Sequence, residues 1–316
     1  MVRKEELTYK SRDRQSTIHA IKWIPEGQPV ALLQIIHGMQ EYIDRYDEYA
    51  RYLAEKGILV MGNDHLGHGK SVTGNGTYGF FCKDDPATVL VRDAHRLKKT
   101  VQEEYPGVPV FILGHSFGSF VAREYITRYG TGIQGAIIQG TAFMPTGTIN
   151  SLTSLVNFMQ VIMGTKYRST MINNMAFKGY LKKIPNPRTK FDWLSHNEES
   201  IDKYIADPAD NFVFTLNGFG TMAELLKRVQ DKDKMEDIPK KLPILITAGK
   251  EDPVGDYGEA PMKLFDIYKK QLQLENVELK LYDGMRHELQ QEIGREQVFA
   301  DQYEWIKKVI DSVSKD

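Results

Sequence analysis

A single cysteine, Cys82, stands among the 316 residues, so no intrachain disulfide can form and a reducing compartment is expected. Charge of one sign is not in excess. The 41 basic and 42 acidic residues leave a formal net charge of -1, which argues against a nucleic-acid partner. No run approaches the roughly 20 apolar residues of a membrane-spanning helix. The start, Met1-Val2-Arg3-Lys4-Glu5-Glu6, carries both signs without an apolar stretch, so no signal peptide is expected. These absences point to a soluble, cytoplasmic protein. What is present is ordinary in amount: 41% of the residues are apolar, enough for a full core. The length suits one α/β core with a sizeable insertion.

Strand-like and helix-like segments alternate along the chain. Segments 5–10 and 18–23 read as a hairpin across a polar turn. The apolar run 30–36 reads as a strand ending in His37-Gly38, and 44–56 has helical spacing that stops at Gly57. A strand over 58–62 leads into the glycine-rich loop 66–79. A helix over 88–105, a strand over 110–113, a helix over 119–129 and a strand over 135–140 follow. The alternation stops there and resumes with strands over 243–249 and 277–282 and helices over 262–270 and 295–314. A mostly parallel sheet with helices on both faces is the expected α/β architecture.

The stretch between holds helical patterns and no strand series. The expected division is a core of residues 1–141 and 236–316 with an inserted helical cap, residues 142–235. The cap would lie over the carboxyl end of the sheet, where open α/β sheets hold their substrates. Leu152, Leu155, Val156, Met159, Ile162 and Met163 share one helical face within it. Leu155, Met159 and Ile162 are read as pocket lining. Packing on the core, or contact with a membrane surface, are the competing readings, and the missing basic polar face weakens the second.

The chemistry announces itself at Gly114-His115-Ser116-Phe117-Gly118, between a predicted strand and a predicted helix. A nucleophile there sits on a turn so tight that only very small neighbours fit, which accounts for glycines two before and two after Ser116. A serine hydroxyl needs a histidine to take its proton and a carboxylate to orient that histidine. Only His196 and His287 follow Ser116, and His287 alone lies just beyond a core strand. After the strand 243–249 come Glu251 and Asp252; Asp252 is chosen because Pro253 fixes the turn, with Glu251 as the competitor. Asp283 is assigned to its own turn. The expected oxyanion donors are the backbone amides of Phe117, after the serine, and Met39, after the first core strand. His37 is read as a structural histidine of that loop.

Together these segments resemble the monoacylglycerol lipase and lysophospholipase group of α/β-hydrolases, which includes serine aminopeptidase-like proteins. Residues 37–46 are similar to its H-G-x-x-E-x-x-x-R-Y segment, residues 64–71 to its D-x-x-G-H-G-x-S loop, and residues 114–118 to its G-H-S-x-G elbow. The loops carrying Asp252 and Arg286-His287-Glu288 fit as well. The resemblance implies the α/β-hydrolase fold and hydrolysis of a small-molecule acyl ester by Ser116, Asp252 and His287, without cofactor or metal. Gln40 departs from a position where many members carry glycine, and a bulkier loop there would narrow the path of the acyl chain.

His65 and His68 lack the helical spacing of a zinc pair, so no metal site is assigned; Asp64 and His68 are read as braces of the active-site floor. An aminopeptidase on the same triad would need acids such as Glu198, Glu199 or Asp202 to hold a substrate amine. A ligand-binding protein of this fold would lack a triad member, whereas all three are present.

Overall fold

The computed structural model describes residues 1–313. β1 (Arg3–Lys10) and β2 (Thr17–Ile24) form the expected hairpin, and β2 pairs antiparallel with β4 (Ile58–Asn63). The sheet then continues through β3 (Ala31–Ile36), β5 (Val110–His115), β6 (Gly135–Gln139), β7 (Ile244–Gly249) and β8 (Val277–Tyr282), all parallel. Every residue of β3 to β7 is buried, because helices cover both faces. That double burial is why these strands read as largely apolar runs without alternation, Gln34 and Thr247 being their buried interior polar residues. β8, at the edge, alternates instead, with Glu278 and Lys280 outward.

Successive strand residues feed opposite layers. Leu33, Ile35, Phe111 and Leu113 pack with α1 (Asp47–Glu55) and α10 (Arg295–Val313). Leu32, Ile36, Val110 and Ile112 pack with α2 (Pro86–Glu104), α3 (Phe117–Tyr129) and α9 (Glu259–Asp266). Each such side chain contributes roughly 1.5–3 kcal/mol by leaving water.

Some boundaries moved for local reasons. A 3₁₀ turn, Ile43–Tyr46, precedes α1, held by the Ile43 amide donating to Asp64 Oδ1 at 2.9 Å. α2 starts earlier than expected because Asp85 caps it, accepting from the Thr88 amide, with Pro86 at the first helical position. The helix expected over 262–270 is α9 followed by a π turn, Ile267–Gln271, closed by the Leu272 amide on the Ile267 carbonyl at 2.9 Å. Ser314, the expected end of the last helix, lies outside the described residues.

Between β6 and β7 the chain inserts α4 (Thr146–Met163), α5 (Thr170–Ala176), α6 (Glu198–Ala206), α7 (Leu216–Val229) and α8 (Lys232–Met235), with no strand among them. α7 lies between α4 and α3, burying Phe219, Ala223 and Leu226. Arg123 of α3 donates to the carbonyls of Ala142 and Val229, so the insert is tied to that helix near both its ends.

Candidate active site

Ser116 stands at the junction of β5 and α3 with φ 54° and ψ -121°, a strained conformation for a non-glycine residue. Such strain costs about 1–3 kcal/mol and persists only where the surroundings enforce it. They do so here by close contact. A Cβ at Gly118 would fall 2.0 Å from the Ile36 carbonyl oxygen, and one at Gly114 only 2.4 Å from the Gly118 carbonyl oxygen. Gly38, in the loop after β3, lies against the serine: a Cβ there would sit 3.1 Å from Ser116 Cβ. The amides of Met39, next in that loop, and of Phe117 have no hydrogen-bond partner among the described residues.

Asp252 follows β7 and His287 follows β8, both buried. His287 Nδ1 donates to Asp252 Oδ2 at 2.9 Å, while Asp252 Oδ1 accepts the Val254 amide at 2.8 Å. With Nδ1 as donor, Nε2 is left as an acceptor. Trp193 of the insert rests on the His287 ring, centroids 5.2 Å apart. Glu251 turns elsewhere, pairing with His196 at 3.1 Å, and Asp283 pairs with Lys250 at 2.8 Å on the surface.

Beneath the serine lies a buried ionic cluster. Glu41 Oε1 accepts from the Gly38 amide and from the Tyr46 hydroxyl, and lies 2.8 Å from His115 Nδ1. Arg45 grips Glu288 with both terminal nitrogens, at 2.7 and 2.9 Å, and reaches Glu41 at 3.4 Å. Burial opposes ionisation of Glu41, yet His115, Arg45 and the Gly38 amide hold its carboxyl down at about 2. Burial likewise opposes protonation of His115, but the charge and hydrogen bond of Glu41 outweigh it and raise its pKa.

The glycine-rich loop supports the turn after β3. His37 Nδ1 donates to the Gly38 carbonyl and its Nε2 accepts from the His65 amide. His65 Nε2 donates to the His37 carbonyl and His68 Nδ1 to that of Leu66, so these histidines spend ring nitrogens on backbone. Burial pushes His37 well below its ordinary value, His65 to about 4 and His68 to about 3. Asp64 joins His19 at 2.8 Å and also accepts from the Ile43 and Lys70 amides.

A cavity of about 340 Å³ is bordered by Ser116, His287, Met39 and Phe117 together. Its far wall is apolar and drawn largely from the insert, with Leu152, Leu155, Phe177, Tyr180, Trp193 and Met222. Of the three expected lining residues, Leu155 is on this wall. Met159 packs half-buried against the core, and Ile162 is 62% exposed, so neither borders the cavity. The apolar stripe of α4 outruns its partner. Gln160 donates to the Leu216 carbonyl where α7 begins, and past that point the last turn has nothing to pack on.

Gln40 adopts φ 58°, the left-handed region that glycine would enter freely. Its side chain borders the cavity but donates to the Phe212 carbonyl of the insert. The residues that pattern reading underrated are Glu41, Arg45, His115 and Glu288. Their signal was present in the H-G-x-x-E-x-x-x-R-Y segment and beside the serine and histidine.

A larger cavity, about 590 Å³, opens between the β1–β2 turn and the loop before α2 and shares no lining residue with the first. It holds Cys82, whose thiol burial pushes up to about 12, so no thiolate nucleophile forms there. Among the described residues no helix is long and apolar enough to cross a membrane.

The family model described as serine aminopeptidase, S33, matches residues 27–294. A monoglyceride lipase of Rattus norvegicus is 30% identical over 275 residues, covering 86% of this chain and 80% of that one. The monoacylglycerol lipase of Mycolicibacterium smegmatis is 24% identical over 284 residues, 90% of each chain. Among solved structures, a highly thermostable carboxyl esterase from Bacillus coagulans, in complex with glycerol, is similar at a TM-score of 0.90. It is 27% identical, covering 98% of this chain and 100% of that one.

Proposed function

The chain belongs to the serine aminopeptidase, S33, family of α/β-hydrolases, and from that premise we propose a carboxylic ester hydrolase of the monoacylglycerol lipase type. In this reading His287 takes the Ser116 proton as the serine oxygen attacks the ester carbonyl. The Met39 and Phe117 amides receive the oxyanion, each worth about 3 kcal/mol in comparable sites. His287 passes the proton to the leaving alcohol, then draws one from water, whose oxygen bonds the acyl carbon, and returns it to the Ser116 oxygen as the acid departs. Residues 142–235 act as the cap, whose apolar wall receives the acyl chain. The observation that supports this most is the 2.9 Å His287–Asp252 pair bordering the same cavity as the strained serine.

The cavity's lining favours a glyceryl head group over a phosphoglyceryl one. Glu41 and Glu288 line it, and among the described residues no lysine or arginine does. Both carboxylates are already held by Arg45, and Glu41 also by His115 and the Gly38 amide, so the preference comes from the lack of an arginine or lysine for a phosphate rather than from repulsion. Glu199 and Asp202, suggested as amine-holding acids, instead pair with Lys203 and Arg188 on the surface, each at 2.7 Å. Monoacylglycerols are expected to turn over about 100-fold faster than lysophosphatidates of equal chain length, since enclosing a phosphate without a paired cation costs several kcal/mol. Equal rates in a paired hydrolysis assay would make it a lysophospholipase. Faster cleavage of aminoacyl-naphthylamides would make it an aminopeptidase.

We also read it as a cytoplasmic protein that touches bilayers reversibly through the last turns of α4, where Phe158, Val161, Ile162 and Met163 are exposed. Cosedimentation with phosphatidylcholine vesicles should fall when Phe158 and Val161 are both changed to serine. Retention by the double variant, or recovery of the native protein outside the cytosolic fraction, would count against this.

A further inference from the structure

Three side chains of one short loop are tied to a strap of the insert. Residues 40–45 lead from the oxyanion turn to α1, and residues 207–212 join α6 to α7. Gln40 donates to the Phe212 carbonyl, the Tyr42 hydroxyl donates to Asp207 Oδ2 at 2.8 Å, and Arg45 Nε faces Asp210 Oδ2 at 3.4 Å. Asp207 also accepts the Ala209 amide at 2.8 Å, so one carboxylate both shapes the strap and fastens it. Tyr204, in α6, lays its ring 5.1 Å from the Arg45 guanidinium.

Asp210 is 3% exposed, and its Oδ1 has no hydrogen-bond partner among the described residues. The strap therefore drives an acid into the interior, where Arg45 is the cation that meets it. Arg45 is the branch point of the whole region. One arm runs to Glu41, which holds the Gly38 amide beside Ser116; the other runs to Glu288, adjacent to His287. A change in where Asp210 sits thus reaches two catalytic loops through a single guanidinium.

We propose that Asp210 is a positioning residue: seated on Arg45, it holds the oxyanion turn and the histidine loop in register with Ser116. This rests on the ester-hydrolase reading above. Through it the insert has a second task besides lining the acyl site, because catalytic geometry is complete only with the strap down.

The charges around Asp210 give the coupling a direction. Burial raises its carboxyl to about 8; Glu288, Asp207 and Glu41 add to the rise and Arg45 opposes it. Tyr204 and Tyr42 face the same cluster, with His115 behind Glu41. An acid whose pKa is raised on folding stabilises the seated state fully below its ordinary value near 3.9 and loses that contribution as pH climbs through about 8. Alkaline pH accordingly loosens the strap.

The test is kcat and KM for p-nitrophenyl acetate, whose acyl group is too short to need the insert's wall, in wild type, Asp210→Ala and Asp210→Asn. Asp210→Ala is expected to lower kcat about 10-fold or more, within the roughly 100-fold that a misplacement of about 1 Å costs, with little change in KM. Asp210→Asn, equal in shape and neutral at every pH, should recover part of that loss and lack the wild-type decline as pH rises through about 8. An unchanged kcat in Asp210→Ala, with KM raised only for long-chain esters, would reduce the strap to a pocket wall. If the alanine variant does not fold, an Asp210→Asn profile that matches wild type overturns the proposal. Labelling of the wild type by a fluorophosphonate, measured first, keeps failure of the hydrolase reading distinct from failure of this one.

Discussion

Ser116→Ala is expected to lower ester turnover by about 10⁶-fold, the loss seen when the nucleophile of a serine hydrolase is removed. The substitution deletes one oxygen from a half-buried side chain at the cavity edge, so no core contact is lost with it. The strained φ of 54° is enforced by Gly114 and Gly118, which stay in place. Alanine tolerates that conformation no worse than serine, and the melting temperature should hardly move. A fluorophosphonate should label the wild type at this serine and leave the variant unlabelled, because Ser116 is the hydroxyl residue placed on the strained turn beside the Phe117 amide. Labelling that survives in Ser116→Ala would place the nucleophile elsewhere and remove the basis of the mechanism.

Asp252→Asn carries the second large effect, about 10⁴-fold on kcat, although the two side chains have the same shape. The reason lies in the partners of the two oxygens. Oδ1 takes the Val254 amide, so an asparagine must present its carbonyl there. Its NH₂ then faces His287 Nδ1, where the wild type presents an acceptor. The imidazole would be forced to protonate Nε2, the nitrogen that has to accept the serine proton. KM should stay close to wild type, since Asp252 does not border the cavity. A kcat within about tenfold of wild type would indicate that another carboxylate orients the histidine.

Much of the fold was legible because doubly covered strands have no outward positions to fill with polar residues. The runs before Gly114, Gly140 and Gly249 therefore stood out without any alternation to decode. The elbow was legible for a different reason: the approach of Gly118 to the Ile36 carbonyl admits one residue type only. Asp252 and His287 could be chosen because a parallel sheet delivers the loops after successive strands to the same end.

The ionic cluster was hidden by distance along the chain. Arg45 meets Glu288 from 243 positions away, and no periodicity marks such a pair. Ile162 failed for a third reason. Helical spacing tells which side of α4 is apolar, but not that α7 begins opposite Gln160 and leaves the final turn bare. The π turn after α9 likewise depends on a single carbonyl choosing one partner over another.

The way the insert is anchored divides its mechanical attachment to the sheet unequally. Its chain leaves the sheet after β6 and returns at β7, two adjacent parallel strands, so the insert lies wholly within one crossover connection and adds no strand to the ladder. Within it, α7 serves as a keel lodged against α3. Substitutions on the outer faces of α4 and α5 should therefore disturb the sheet less than substitutions on the α3-facing side of α7.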